Sequence, residues 1–97
     1  MMRRRNAQSL HDILDEALKS LHIDQKIFET RLISSFPEIV GSTIAAHTKN
    51  MYIRRGVLYV QIDSAVIRNE LQMMRQSLIE HLNKQVGHET IKDIIFR

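Results

Sequence analysis

At 97 residues, with 43% hydrophobic and 26% charged side chains, the chain has the composition of one small globular domain with a modest core. It has no cysteine, which excludes disulfides, thiolate metal sites, iron–sulfur clusters and cysteine nucleophiles, and fits a reducing compartment. No apolar run approaches the ~18 residues of a membrane helix. The opening MMRRRNAQSL carries charge with no apolar stretch behind it, so the expected location is the cytoplasm. The net charge of +3 is uneven. Arg3, Arg4 and Arg5 supply +3, residues 6–38 carry three basic and six acidic side chains, and residues 39–97 carry eight basic and five acidic. Such asymmetry points to a polyanion or a charged protein as partner, against the plainer reading of an unevenly solvated surface.

In chain order, residues 1–8 lack periodicity and are expected to form a flexible basic tip, with a single domain over residues 9–97. Ser9 is a candidate cap for a first helix, whose Leu10, Ile13, Leu14, Ala17, Leu18 and Leu21 fall at helical spacing. His22-Ile23 breaks the pattern. Asp24 can cap a second helix with the stripe Ile27, Phe28, Leu32 and Ile33. Pro37 fits a first helical turn better than a helix interior, so a break is expected near Phe36, followed by a short helix over residues 37–46. Gly41 inside that helix implies a close approach by a neighbour.

From Lys49 the period changes to two. Met51, Ile53, Leu58, Val60 and Ile62 form one face of a hairpin, and Arg55-Gly56 forms its turn. Tyr52, Arg54, Tyr59 and Gln61 fall on the other face. Ser64 caps a long helix over about residues 65–86, with the stripe Ile67, Leu71, Met74, Leu78, Leu82 and Val86 and a left-handed stop at Gly87. Residues 91–96 form a last strand. The order ααα-ββ-α-β describes an α+β fold, with helices on one face of a three-stranded mixed sheet.

Signals for catalysis are thin. Gly41, Gly56 and Gly87 lie far apart and form no phosphate loop. His11, His22, His47, His81 and His88 show no metal-ligand spacing, so no metal and no cofactor are expected. Asp12, Asp15 and Glu16 read as a solvated helix face, or alternatively as a surface that docks a basic protein. Met51, Met73 and Met74 read as core filler. The hairpin says more. Tyr52, Arg54 and Tyr59 share one face, with Arg55 at the turn and Lys49 at the entrance, while Arg68 and Arg75 sit seven apart on the long helix. Aromatic and arginine side chains on an open sheet suit base stacking and phosphate contact. Tyrosine and arginine are also common on half-solvated sheets for β-propensity alone.

Three stretches together resemble the DciA-type family: FPEIVGSTIAAHTKNMYIRRGVLYVQI at residues 36–62, the following SAVIRNELQMMRQSLIEHLN, and the terminal IKDIIFR. The shared features are an aromatic-x-E-I-V-G element, His47-Thr48 before the hairpin, a G-V-L-Y-V strand, the N-E-L and L-N landmarks and an I-x-F-R ending. Members of that family act as loaders, or operators, of the replicative helicase DnaB. The resemblance implies a KH-like domain that interacts with DNA and with that helicase. Phe36 stands where the family usually has tryptophan, the GxxG loop of true KH domains is absent, and only Arg3–Arg5 are present where many members carry a long basic or disordered extension. His47-Thr48 also has a structural reading, with the Thr48 hydroxyl satisfying free backbone groups at a helix end.

The leading expectation is a non-catalytic replication accessory protein that binds a DnaB-type helicase and single- or double-stranded DNA. The alternatives are a stand-alone RNA-binding module and a protein-only adaptor. The candidate nucleic-acid residues are Lys49, Tyr52, Arg54, Arg55, Tyr59, Arg68 and Arg75, and the candidate partner residues are Asp12, Asp15 and Glu16.

Overall fold

Alternation builds the sheet. β1 (Thr48–Arg54) and β2 (Val57–Ile62) pair antiparallel, with Tyr52 opposite Tyr59 and Arg54 opposite Val57. The two residues between them, Arg55 and Gly56, have φ of 52° and 78°. Two left-handed residues in succession mark the tight turn whose twist matches that of the strands. β3 (Asp93–Phe96) lies parallel on the other side of β2, giving the order β1-β2-β3. The computed structural model describes the backbone from Leu10 to Arg97 and the side chains from Asp24 onward. The Arg3–Arg5 tip, the Ser9 cap, and the side chains of the Leu10–Leu21 stripe, His11, His22, Asp12, Asp15 and Glu16 lie outside what it describes.

The helices all lie on one side. α1 (Leu10–Val40) packs on α2 (Ser42–Ala46) and α4 (Arg75–Val86), and α3 (Ala65–Met73) joins β2 to α4. Leu58, Val60 and Ile62 of β2 and Ile94 and Phe96 of β3 are buried against Leu32, Phe36, Leu71, Leu78, Ile79 and Leu82. Met51 and Ile53 close the margin of this core. The α+β architecture is therefore as the alternation and periodicity predict: four helices on one face of a three-stranded mixed sheet, an arrangement consistent with the KH-like class.

The helix boundaries differ from expectation in three places. First, α1 runs unbroken through His22-Ile23-Asp24 and through Pro37. Proline removes one helical donor, but its ring-fixed φ is helical, and burial of Phe36 with Ile39 and Val40 against the core outweighs the lost bond. Ile27, expected in the buried stripe, is 43% exposed.

Second, the break falls at Gly41, with φ of 96°. No neighbour lies within 4 Å of where its Cβ would be. Glycine is thus required by backbone conformation and not by close packing.

Third, the long helix is divided at Met74 (φ −102°, ψ 10°), whose amide is shared between the carbonyls of Glu70 and Leu71. Neither proline nor glycine announces this kink. It turns Met73 and Met74 outward, 85% and 44% exposed, so these methionines are not core filler.

Asp24, inside α1, caps no helix, but Ser64 and Gly87 stand as expected. The Ser64 hydroxyl accepts from the Ile67 amide at 3.3 Å. Gly87 is left-handed at φ 81°, and the amides of Gly87 and His88 return to the Asn83 carbonyl at 2.9 and 3.2 Å. Asn83 also acts through its side chain. Its Nδ2 donates to the Ile91 carbonyl at 2.8 Å, and its Oδ1 accepts from the amides of Thr90 and Ile91 at 2.9 and 3.0 Å. Phe28 stacks on His88 beside this loop, with ring centroids 4.2 Å apart.

Leu71 is fully buried, so Leu71→Ala should cost about 2–5 kcal/mol in chemical denaturation. Met74→Ala, at the exposed kink of the same predicted stripe, should cost less than about 1 kcal/mol.

Candidate nucleic-acid interface

Because the helices cover one face of the sheet, the other face is open. Alternation places Asn50, Tyr52 and Arg54 of β1 and Tyr59 and Gln61 of β2 on it. Directly opposed, Tyr52 and Tyr59 stack with centroids 4.8 Å apart and planes 14° from parallel. Arg97 follows β3 and reaches across both. Its guanidinium carbon lies 5.0 Å from the Tyr59 centroid, and its Nη2 donates to the Tyr52 hydroxyl at 2.6 Å. Backbone bonds hold it there, the Arg97 amide donating to Val60 and its carbonyl accepting from Ile62. Asn50, Tyr52, Tyr59, Gln61 and Arg97 enclose a hollow of about 290 Å³.

Arg54 and Arg55 project at the hairpin tip, both exposed. The Lys92 side chain lies alongside the same turn, about 3.6 Å from where a Gly56 Cβ would stand, and its amide donates to the Gly56 carbonyl at 2.7 Å. Among the described residues none of these three cations is ion-paired.

The other three predicted cations are committed within the domain. Lys49 Nζ lies 3.3 Å from Asp63 Oδ2. Arg75 lies 3.6 Å from Asp93, at the start of β3. Arg68 turns inward, its Nη2 donating to the Ile62 carbonyl at 2.9 Å, while its buried Nε has no hydrogen-bond partner. The kink at Met74 also separates Arg68 from Arg75, so their seven-residue spacing does not place them on one continuous helix face.

Of the seven candidate residues, the structure therefore brings Tyr52 and Tyr59 together on the sheet face and puts Arg54 and Arg55 at its tip. Arg97, Asn50 and Gln61 complete the face and were not singled out from sequence. Gln61 and Asn50 were legible as outward positions of the hairpin. Arg97 was not, because its place over the tyrosines depends on the parallel pairing of β3 with β2.

Asp63 sits behind Lys49. Its Oδ1 lies 2.7 Å from His47 Nδ1, and the hydrogen bond from His47, with Lys49 beside it, holds the carboxyl below its ordinary value. Thr48 has the structural role expected of it, its hydroxyl donating to the Ile44 carbonyl at 3.0 Å. Among the described residues no group of three or more histidine or acidic side chains is arranged for a metal ion, and no helix is long and apolar enough to cross a membrane.

A helix-backed, mixed three-stranded sheet with one open face defines a small α+β domain of KH-like class. The family description "Dna[CI] antecedent, DciA" matches residues 9–96, and the chain belongs to that family. It is 27% identical over 90 residues to a UPF0232 protein of Corynebacterium glutamicum (strain R), covering 93% of this chain and 51% of that protein. It is 28% identical over 69 residues to a UPF0232 protein of Rhodococcus jostii (strain RHA1), covering 71% of this chain and 37% of that one. The chain thus spans about half the length, or less, of these curated relatives.

Because folding lowers the Asp63 pKa, its contribution to stability is present above the ordinary aspartate value and is lost as pH falls through the lower, folded value. Carboxyl NMR titration should place the Asp63 midpoint below that of an unperturbed aspartate. His47→Ala should move it back up. An unchanged midpoint in that variant would show that the hydrogen bond is not the cause.

Proposed function

We propose that this chain is a DNA-replication accessory protein that binds a DnaB-type replicative helicase and nucleic acid without catalysis of its own, with residues 9–97 acting as one domain. Family membership supports the replication role. The observation that carries the nucleic-acid half is the open sheet face, where stacked Tyr52 and Tyr59 meet Arg97 beside Arg54 and Arg55, which have no ion-pair partner among the described residues. Aromatic faces serve bases and free guanidinium groups serve phosphates. Arg97 enters the proposed set, while Lys49, Arg68 and Arg75 act there only if strand binding displaces their internal partners. The acidic positions Asp12, Asp15 and Glu16 are proposed as the docking face for a basic surface of the helicase.

Binding should be weak and salt-sensitive. Neutralising about three to five phosphates gives a log–log salt slope of about −2 to −4. Arg54→Ala with Arg55→Ala should flatten that slope. Titration of labelled strands at several salt concentrations reads both, and absence of binding at low salt would remove the nucleic-acid half of the proposal.

A pull-down from nuclease-treated native lysate should recover the helicase. Changing Asp12, Asp15 and Glu16 together to alanine should reduce that recovery while leaving nucleic-acid affinity unchanged or improved. Recovery that depends on RNA would favour an RNA-binding module instead.

A further inference from the structure

The hollow on the open sheet face has a chemistry more specific than a basic surface. The side chains that line it are two aromatic rings, two carboxamides and one guanidinium, with no acidic side chain among them. At about 290 Å³ it lies at the low end of small-molecule pockets (~300–1,000 Å³), enough for one ring system and not for a stretch of chain.

Its polar groups are unevenly used. Asn50 Oδ1 already accepts from the Met51 amide at 3.0 Å, while the two N–H groups of Nδ2 have no partner among the described residues and remain as donors. The Tyr52 hydroxyl accepts from Arg97, so its own proton is free to donate. The Gln61 carboxamide is without a hydrogen-bond partner among the described residues and offers both a donor and an acceptor. Donors therefore outnumber acceptors, with one amide carbonyl among them.

We propose that this hollow seats one unpaired base of a single strand against the tyrosine rings, with preference for thymine or uracil. Two carbonyl oxygens flanking one N–H on the base edge match several donors around the Gln61 carbonyl. The base must be unpaired, because in a duplex that edge is occupied by its complement. Arg54 at the end of β1 and Arg55 in the turn hold the adjoining phosphates. The inference rests on the proposed nucleic-acid role and names the ligand of that face.

The chain has two tyrosines and no tryptophan. Both tyrosines wall the hollow, so tyrosine emission reports on this site alone. Single strands dT8, rU8 and dA8, a duplex of the same length and inorganic polyphosphate are each titrated into the full chain. A terminal label on each nucleic acid reports total binding by anisotropy, and tyrosine emission reports the site. Quenching by dT8 or rU8, stronger than by dA8 and absent with duplex and polyphosphate, is the expected result. The relative affinities of dT8 and rU8 distinguish DNA from RNA as the source of the base. Asn50→Ala and Gln61→Ala should each weaken dT8 or rU8 binding by about tenfold and leave duplex binding within about twofold.

Anisotropy that rises with dT8 and rU8 while tyrosine emission stays constant would overturn the inference and leave the nucleic-acid role standing. Equal quenching by duplex or by polyphosphate would show that the hollow takes phosphate and would also overturn it. No response in either channel would remove the nucleic-acid role and this inference together.

Discussion

The Asn83 carboxamide fixes the backbone of Thr90 and Ile91 with three hydrogen bonds, and the path of β3 follows from that anchor. A helix that stops at a left-handed glycine can release its chain in many directions. Here the last turn of α4 holds the loop that follows it, and the amide of Lys92, the residue just before β3, closes on Gly56. β3 then pairs with β2 in a parallel register that sets Tyr59 beside Ile95 and brings Arg97 over the tyrosines. One side chain on the helical layer thereby determines what stands on the opposite, open layer. It also gives a physical meaning to the Leu82-Asn83 landmark, in which leucine fills the core and asparagine directs the chain.

The open face owes its composition to what the covered face consumes. β2 is central, and its inward residues Leu58, Val60 and Ile62 are almost completely buried. Val57, Tyr59 and Gln61 are left as its outward positions. Charge is sorted in the same way. Lys49, Arg68 and Arg75 serve the joints around β1, β2 and β3, while Arg54, Arg55 and Lys92 gather at one end of the sheet with no carboxylate partner among the described residues. Three of the eight basic side chains of residues 39–97 therefore gather at a tip beside the aromatic pair.

Much of this was legible in the sequence because the signals were local. Strict alternation over residues 51–62, the Arg55-Gly56 turn, the Ser64 cap and the Gly87 stop each depend on near neighbours, and each stands where expected. Tertiary contacts overrode local rules elsewhere. Pro37 does not end α1, because Phe36 before it is buried in the core and Ile39 and Val40 after it pack against that core. The kink at Met74 has no residue that encodes it. The site was half legible for the same reason. Tyr52 and Tyr59 could be placed opposite each other from the hairpin alone. Arg97 could not, being 45 residues from its hydrogen-bond partner, and Lys49, Arg68 and Arg75 could not be known to be engaged.

The turn at Arg55 sets local energy against surface charge. A left-handed backbone costs an ordinary L-residue roughly 1–2 kcal/mol, and glycine or asparagine would occupy φ of 52° with less strain. Arginine at that position keeps a guanidinium at the outermost point of the hairpin and leaves the turn less stable than it could be. Selection for thermal stability alone would tend to replace it with glycine or asparagine and so remove charge from the tip. Variants hardened by such selection would be poor stand-ins for the natural chain in any assay of its contacts with polyanions.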